Sequence, residues 1–153
     1  MRETQREALA GISQGHRIAF IRRFRGIKRR EIGAALGYKG EQMYKWIAKY
    51  ENLIAEPKDE RLDVLAKLLD VSVDAIRKYN FKNPSDLTYA LLWAEELCPN
   101  FTLKMTKLAV PMNETQLCLE LFYEEWQEQK AKYKSGEMTH DEYLEWKLHL
   151  KDL

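Results

Sequence analysis

Cysteine, histidine and proline are scarce in this chain of 153 residues, which has two, three and four of them. Cys98 and Cys118 stand among apolar residues without CxxC spacing, so we expect free, buried thiols rather than a disulfide or a metal pair. The histidines do not have the spacing of zinc ligands. The sequence contains neither a glycine-rich phosphate loop nor a nucleophile elbow. These absences favour a protein that is not an enzyme and that uses no metal or cofactor.

Long hydrophobic runs are absent as well. No stretch approaches the roughly 20 apolar residues of a membrane span, so we expect a soluble, cytoplasmic protein without a membrane partner. Hydrophobic residues still make up 45% of the chain, which is enough to build packed cores and excludes wholesale disorder. A chain of this length forms one ordinary domain or two small ones.

The formal net charge of +1 conceals two regions of opposite sign. Residues 1–80 contain 17 Lys/Arg and 11 Asp/Glu, a balance of +6, whereas residues 81–153 contain 8 and 13, a balance of −5. Between Arg17 and Lys49 there are ten basic residues and two acids, Glu31 and Glu41. A basic segment of this density indicates a polyanionic partner, with a solvated face that binds nothing as the alternative.

Apolar periodicity predicts five short helices in residues 15–80, after a polar tail over residues 1–14. The predicted helices cover about residues 16–25, 29–36, 41–51, 59–69 and 73–79, and Ser72 is the expected N-cap of the last. In the first helix we expect Gly26 to follow the C-terminus and four arginines to face solvent: Arg17, Arg22, Arg23 and Arg25. Gly33 lies where a side chain would hinder close approach of another helix.

The second half is predicted to begin with a linker at residues 81–84, because Pro84 disfavours helix at the residue before it. Ser85 is expected to cap a helix. Residues 101–106 alternate between apolar and polar, which predicts a half-buried strand that extends to Val110 and ends at Pro111. Its partner would be residues 108–110, residues 117–121 or a strand of a second copy.

Two further helices are predicted to form an antiparallel hairpin. Asn113 with Gln116, and Thr139 with Glu142, have the spacing of capping boxes that open these helices. Trp126 and Tyr133 on one helix, with Tyr143 and Trp146 on the other, are expected to pack together.

The second and third predicted helices have the small residues that a helix-turn-helix requires, Gly33 between the helices and Gly37 at the turn, with Ile47 holding the second helix. Residues 26–37 and 47–52 resemble the Cro/CI-type helix-turn-helix family of phage and bacterial repressors, also called the xenobiotic-response-element family. The resemblance covers about residues 15–80, and the run at residues 62–72 is similar to the family's closing helices. The expected fold is mainly α, a five-helix DNA-binding domain followed by a small, mostly helical domain over residues 85–153 with one or two short strands and a helical hairpin.

The resemblance places the base-contacting positions at Tyr44, Lys45 and Lys49. Residues 37–51 exceed the family's usual spacing by about four residues, which adds candidates in the turn. These are Lys39, Glu41 and Gln42. Phosphate contacts position a protein without reading sequence, and the candidates for them are Arg22, Arg23, Arg25, Lys28, Arg29, Arg30 and Asn52. Trp46 and Glu51 are expected to have structural roles instead.

We therefore expect a sequence-specific DNA-binding transcriptional regulator of bacterial, phage or mobile-element type, a repressor that binds double-stranded DNA as a homodimer. The alternative is an antitoxin-like or adaptor protein whose acidic C-terminal half binds a protein partner. That half is assigned to dimerisation or to a partner or effector. A metal-dependent nuclease is disfavoured, because the carboxylates of residues 120–128 lack a metal-ligand pattern.

Overall fold

The computed structural model describes residues 12–98, 100–106, 109 and 113–150. Eight helices lie in that part of the chain: α1 Gln14–Phe24, α2 Arg29–Ala35, α3 Gln42–Glu51, α4 Asp59–Leu69, α5 Val73–Ile76, α6 Pro84–Leu97, α7 Glu114–Ser135 and α8 His140–Leu148. They belong to two compact units, Met1–Lys78 and Tyr79–Leu153. The helical class is as predicted. None of the described helices has both the length and the hydrophobicity that crossing a membrane requires.

The predicted strands are wrong. No described residue belongs to a strand: residues 101–106 are irregular backbone, and residues 117–121 lie within α7. The side chains of residues 101–106 do alternate between half-buried and exposed, and the Tyr123 hydroxyl donates to the Leu103 carbonyl at 3.3 Å. Alternation requires only that one side of a segment is covered, whereas a strand requires a backbone partner. Residues 107, 108 and 110 of the predicted strand, with Pro111, lie outside the described residues.

The core of the first unit is built from apolar side chains that all five of its helices contribute. The fully buried ones are Ile18, Ile21, Ile32, Ile47, Leu65, Leu69, Ala75 and Ile76. Helices α2 and α3 approach closely at Gly33, where a Cβ would lie 2.1 Å from the Met43 carbonyl oxygen and 2.4 Å from its Cα. The prediction that Gly33 permits close approach of a helix is therefore confirmed.

The connection from α2 to α3 spans residues 36–41 and is stabilised at both ends. Gly37 takes a left-handed backbone with φ +82°, and the Tyr38 amide donates to the Gly33 carbonyl at 2.9 Å, which closes the C-terminus of α2. The Gln42 amide donates to the Lys39 carbonyl at 3.2 Å and so begins α3. Residues 36–41 thus form an ordered turn rather than an extension of either helix.

Arg17 was predicted to face solvent, and this prediction is wrong because the side chain is only 1% exposed. Its guanidinium donates to the carbonyls of Ile12 at 2.9 Å, Ala75 at 2.7 Å and Arg77 at 2.7 Å. Ala75 and Arg77 lie at the C-terminal end of α5, where backbone carbonyls lack helical partners. Arg17 is therefore a structural residue that holds α5 against α1. Ser72 caps α5 as predicted, accepting from the Asp74 amide.

The second unit contains the predicted antiparallel hairpin of α7 and α8. The ring of Tyr143 stacks on Tyr133 at 5.2 Å and on Trp146 at 5.9 Å, and its hydroxyl accepts from Trp126 Nε1 at 2.8 Å. The capping box at Thr139 is confirmed. At the start of α7, the Asn113 side chain accepts from the Gln116 backbone amide at 2.9 Å, which is the first of the two hydrogen bonds of the predicted capping box.

Two details of the second unit differ from the sequence-based predictions. Helix α6 begins at Pro84 after Asn83, so Ser85 lies inside the helix and does not cap it. Proline is favoured in the first turn because its missing amide would have no partner there. Cys98 and Cys118 are free thiols, as expected, but they are half-buried rather than buried.

A cluster of charged side chains joins α6 to the hairpin. Glu95 accepts from Lys130 Nζ at 2.5 Å, from Lys147 Nζ at 3.0 Å and from the Tyr143 hydroxyl at 2.8 Å. Burial alone would raise the pKa of Glu95, but the bond from Lys130, the charge of Lys147 and the bond from Tyr143 together lower it to about 2. Burial and the bond to Glu95 raise the pKa of the Tyr143 hydroxyl. The ionised Glu95 is therefore favoured by folding.

Substitution of Gly33 by alanine should destabilise the first unit by about 2–4 kcal/mol, because the new methyl would overlap backbone atoms of Met43 that cannot move aside. In an unhindered helix the same change stabilises by about 0.5–1 kcal/mol, so the sign of the effect is diagnostic. Urea unfolding followed by tryptophan fluorescence measures it. The exposed neighbour variant Ala34→Ser is the control and should change stability by less than about 0.5 kcal/mol. A neutral or stabilising Gly33→Ala would contradict the close contact of α2 and α3.

Acid should destabilise the second unit through Glu95. Since folding lowers the pKa of Glu95 to about 2, its contribution is present above its ordinary pKa of about 4.3 and is lost as the pH falls towards 2. Glu95→Gln should lower the free energy of unfolding at neutral pH. It should also reduce the loss of stability between about pH 4.3 and pH 2 by on the order of 3 kcal/mol. Urea unfolding at several pH values tests both effects. Glu128→Gln, a change at an exposed side chain of α7 that pairs with Lys132, should leave this acid-dependent loss of stability nearly as it is, because an exposed pair contributes only about 0.3–0.5 kcal/mol.

Candidate nucleic-acid interface

Helix α3 separates its residues into a buried side and an exposed side. Ile47, Tyr50 and Glu51 are buried. The opposite side is exposed and brings together five of the predicted base-reading residues with Asn52 just beyond the helix: Glu41, Gln42, Tyr44, Lys45, Lys49 and Asn52. Lys39 is exposed in the turn that precedes them. The sequence and the structure therefore agree on which side chains of α3 are available to a partner, although the base-reading role itself stays a prediction.

Two lysines of this face have different neighbours. Lys45 Nζ lies 2.7 Å from the carboxylate of Glu41, the residue that immediately precedes α3, and both side chains are exposed. An exposed pair of this kind contributes about 0.3–0.5 kcal/mol, so a stronger acceptor can displace Glu41. Lys49 Nζ lies 4.5 Å from the centre of the Trp46 ring. That cation–π contact restricts the lysine to one edge of the face.

Trp46 belongs to an aromatic cluster that supports the turn before α3. Its ring stacks on Tyr38 at 5.7 Å with an interplanar angle of 10°, and the hydroxyls of Tyr38 and Tyr50 lie 3.0 Å apart. Arg61 of α4 donates to the Tyr50 hydroxyl at 2.8 Å and contacts that of Tyr38 as well. Burial and the bond to Tyr50 raise the pKa of Tyr38 to about 12. The structural role expected for Trp46 is confirmed.

Glu51 is a buried carboxylate, 3% exposed, that binds two arginines from other helices. It accepts from Arg22 Nε of α1 at 2.5 Å. It also accepts from Arg29 of α2, from Nε at 2.7 Å and from Nη2 at 2.7 Å. The bond to Glu51 outweighs burial and raises the pKa of Arg29. The structural role expected for Glu51 is therefore confirmed.

The seven predicted phosphate-binding residues fall into two groups. Arg22 and Arg29 are paired with Glu51, and Arg25 donates to the carbonyls of Leu69 and Asp70 at the end of α4, at 2.8 and 2.9 Å. The others are exposed: Arg23, Lys28, Arg30 and Asn52. Lys28 precedes α2, where its backbone amide donates to the Glu31 carboxylate.

The position of Glu51 in the sequence indicates that some of these arginines are engaged inside the unit, which a count of charges does not reveal. Glu51 follows Ile47 by four residues, a spacing that places both on the same, core-facing side of a helix. A carboxylate at a core-facing position needs a cationic partner. A core-facing carboxylate in a segment rich in arginine therefore predicts that some of those arginines pair with the carboxylate and not with an external ligand.

Within the described residues, no three His, Cys, Asp or Glu side chains are grouped so that they could hold a metal ion. Comparisons with protein-family models, with curated proteins and with solved structures found no match to this chain. The assignment of a function therefore depends on the geometry of the exposed face of α3 and on the charges around it.

Neutralising the buried carboxylate by Glu51→Gln should destabilise the first unit by about 2–3 kcal/mol. Breaking a fully buried ion pair by removing one partner costs about 3–5 kcal/mol, and the partial exposure of Arg22 and Arg29 reduces that cost. Urea unfolding at low and at high salt measures the effect, which should be nearly independent of salt because the carboxylate is buried. Glu41→Gln removes the exposed carboxylate next to the same helix and should cost less than about 0.5 kcal/mol. Equal effects of the two changes would contradict the structural role of Glu51.

Proposed function

We propose that the first unit binds double-stranded DNA through the exposed face of α3, and that the protein is a sequence-specific transcriptional regulator, a repressor of the Cro/CI helix-turn-helix kind. One observation carries the proposal. The exposed side of α3 offers two lysines, a glutamine and a tyrosine on a helix that the Gly33 contact and the Glu51 ion pairs hold in a defined orientation.

The dimensions and the chemistry of α3 suit the major groove. An α-helix with its side chains is about 10–12 Å across and fits that groove. Lys45 and Lys49 can donate to the O6 and N7 acceptors of guanine, and Gln42 can pair with both the donor and the acceptor of adenine. Restricting Lys49 against Trp46 reduces the side-chain entropy that a contact would cost.

Exposed basic residues on the neighbouring segments suit the sugar–phosphate backbone. Arg23 lies on α1, Arg30 lies on α2, and Lys28 immediately precedes α2. Phosphate contacts from such residues set the register of a protein on the duplex without reading its sequence. They also supply the salt-dependent part of the affinity.

The second unit, whose half of the chain has a charge balance of −5, is proposed to serve dimerisation or a partner or effector rather than DNA contact. We propose a cytoplasmic homodimer, because two-fold proteins read palindromic half-sites, which lie about 34 Å apart or a multiple of that distance. Sedimentation of the full chain and the symmetry of its selected DNA sites test this arrangement.

Selection of bound sequences from a random duplex pool, followed by titrations at several salt concentrations, tests the DNA-binding function. If about five phosphates are neutralised per protomer, the logarithm of the affinity should fall against the logarithm of salt with a slope of about −4 to −5. A slope near zero, or no binding at low salt, would refute DNA binding. A pool that yields no enriched sequence would refute sequence-specific regulation.

Lys49→Ala should reduce the discrimination between the selected site and random DNA by about 1–3 kcal/mol, because a lost base contact affects only the cognate sequence. Arg23→Ala removes an exposed cation from α1 and should weaken binding to both sequences alike. Parallel titrations of the two variants against both duplexes measure the difference. Identical behaviour of the two variants would mean that α3 is not the base-reading element.

A further inference from the structure

Tyr44 lies on the edge of the exposed face of α3 that is next to α2. Its side chain is 46% exposed, and its hydroxyl accepts a hydrogen bond from Arg29 Nη1 at 2.8 Å. The Arg29 guanidinium carbon lies 5.1 Å from the centre of the same ring. The two side chains thus form one surface to which α2 and α3 both contribute.

Arg29 is held on its other side by the buried carboxylate. Nε and Nη2 of Arg29 both lie 2.7 Å from Glu51 Oε2, and Arg22 holds the same carboxylate from α1. A guanidinium has five N–H donors in a fixed plane. Those not directed at Glu51 or Tyr44 remain at the surface, where the Arg29 side chain is 27% exposed.

The hydrogen-bond inventory leaves the hydroxyl proton of Tyr44 available. A phenol has one donor and also accepts, and here the accepting lone pair is used by Arg29. No acceptor for that proton lies among the residues that the structure describes. The net charge of Glu51, Arg22 and Arg29 beside this O–H donor is +1.

A phosphate oxygen satisfies this arrangement better than a base edge does. A phosphate of the DNA backbone accepts hydrogen bonds and donates none. It also carries one negative charge, which balances the net positive charge of Arg22, Arg29 and Glu51. Arg29 is bound through two nitrogen atoms to a buried carboxylate, so it cannot extend into the groove as an arginine that reads guanine does. The DNA backbone, in contrast, passes over the protein surface and can reach the pair.

We propose that Arg29 and Tyr44 together hold one phosphate of the bound duplex, and that Tyr44 positions α3 instead of reading a base. The proposal rests on the DNA-binding function proposed above. It replaces the sequence-based assignment of Tyr44 to base reading, and it assigns Glu51 as the positioning residue that aligns Arg29 for the contact.

Tyr44→Phe tests the proposal, because it removes the hydroxyl and keeps the ring. The affinities for the selected site and for random duplex should fall by the same factor, about 10- to 150-fold for a hydrogen bond to a charged acceptor. The salt slope should not change, since a neutral hydroxyl releases no counterion. Tyr133→Phe, which removes a hydroxyl from an exposed tyrosine of the second unit, is the matched control and should leave both affinities as they are. Unfolding in urea shows whether the variants are folded.

Single neutral methylphosphonate replacements along the selected duplex then locate the contact. Wild-type protein should lose affinity at one phosphate where Tyr44→Phe loses clearly less. A Tyr44→Phe variant that changes the discrimination between the two duplexes, or that leaves both affinities unchanged, would overturn the phosphate contact while wild-type binding still supports the function. Failure of the wild-type protein to bind any duplex would overturn both.

Discussion

A buried carboxylate, Glu51, joins the three helices on which the candidate interface is built. The carboxylate belongs to α3, and its two arginine partners belong to α1 and α2. A buried ion pair often contributes little net stability, because desolvation offsets the attraction. Its hydrogen bonds are directional, however, and they fix the rotation of α3 about its own axis. That rotation decides which side chains of α3 face a partner.

The close contact of α2 and α3 supplies the second constraint. Without a side chain at Gly33, the backbone of α2 meets Met43 directly, and the distance between the helices is set by main-chain atoms rather than by side chains that can change rotamer. Tyr38 and Trp46 support the turn on the opposite edge of α3. The exposed face is therefore held from both sides, which lowers the entropic cost of binding a rigid partner such as duplex DNA.

Sequence patterns predicted the features that have local causes. Helix positions, the capping box at Thr139 and the need for a small residue at Gly33 follow from periodicity and backbone geometry. Features that depend on a distant partner were not predictable in this way. Residues 101–106 alternate like a strand but lack a strand partner among the described residues, and Arg17 is buried because the carbonyls of Ala75 and Arg77 meet it about sixty residues later in the chain.

The basic segment shows why a charge count overstates the charge that a partner meets. Of the ten basic residues between Arg17 and Lys49, four are engaged inside the unit: Arg17 and Arg25 on backbone carbonyls, Arg22 and Arg29 on Glu51. The other six are exposed: Arg23, Lys28, Arg30, Lys39, Lys45 and Lys49. The engaged group consists only of arginines, whose planar donors suit carbonyls and carboxylates, whereas the four lysines of this segment are exposed. Contacts inside the unit, more than total charge, separate the cations that build this fold from those available to a polyanion, and Arg29, whose side chain is 27% exposed, is proposed to serve both purposes.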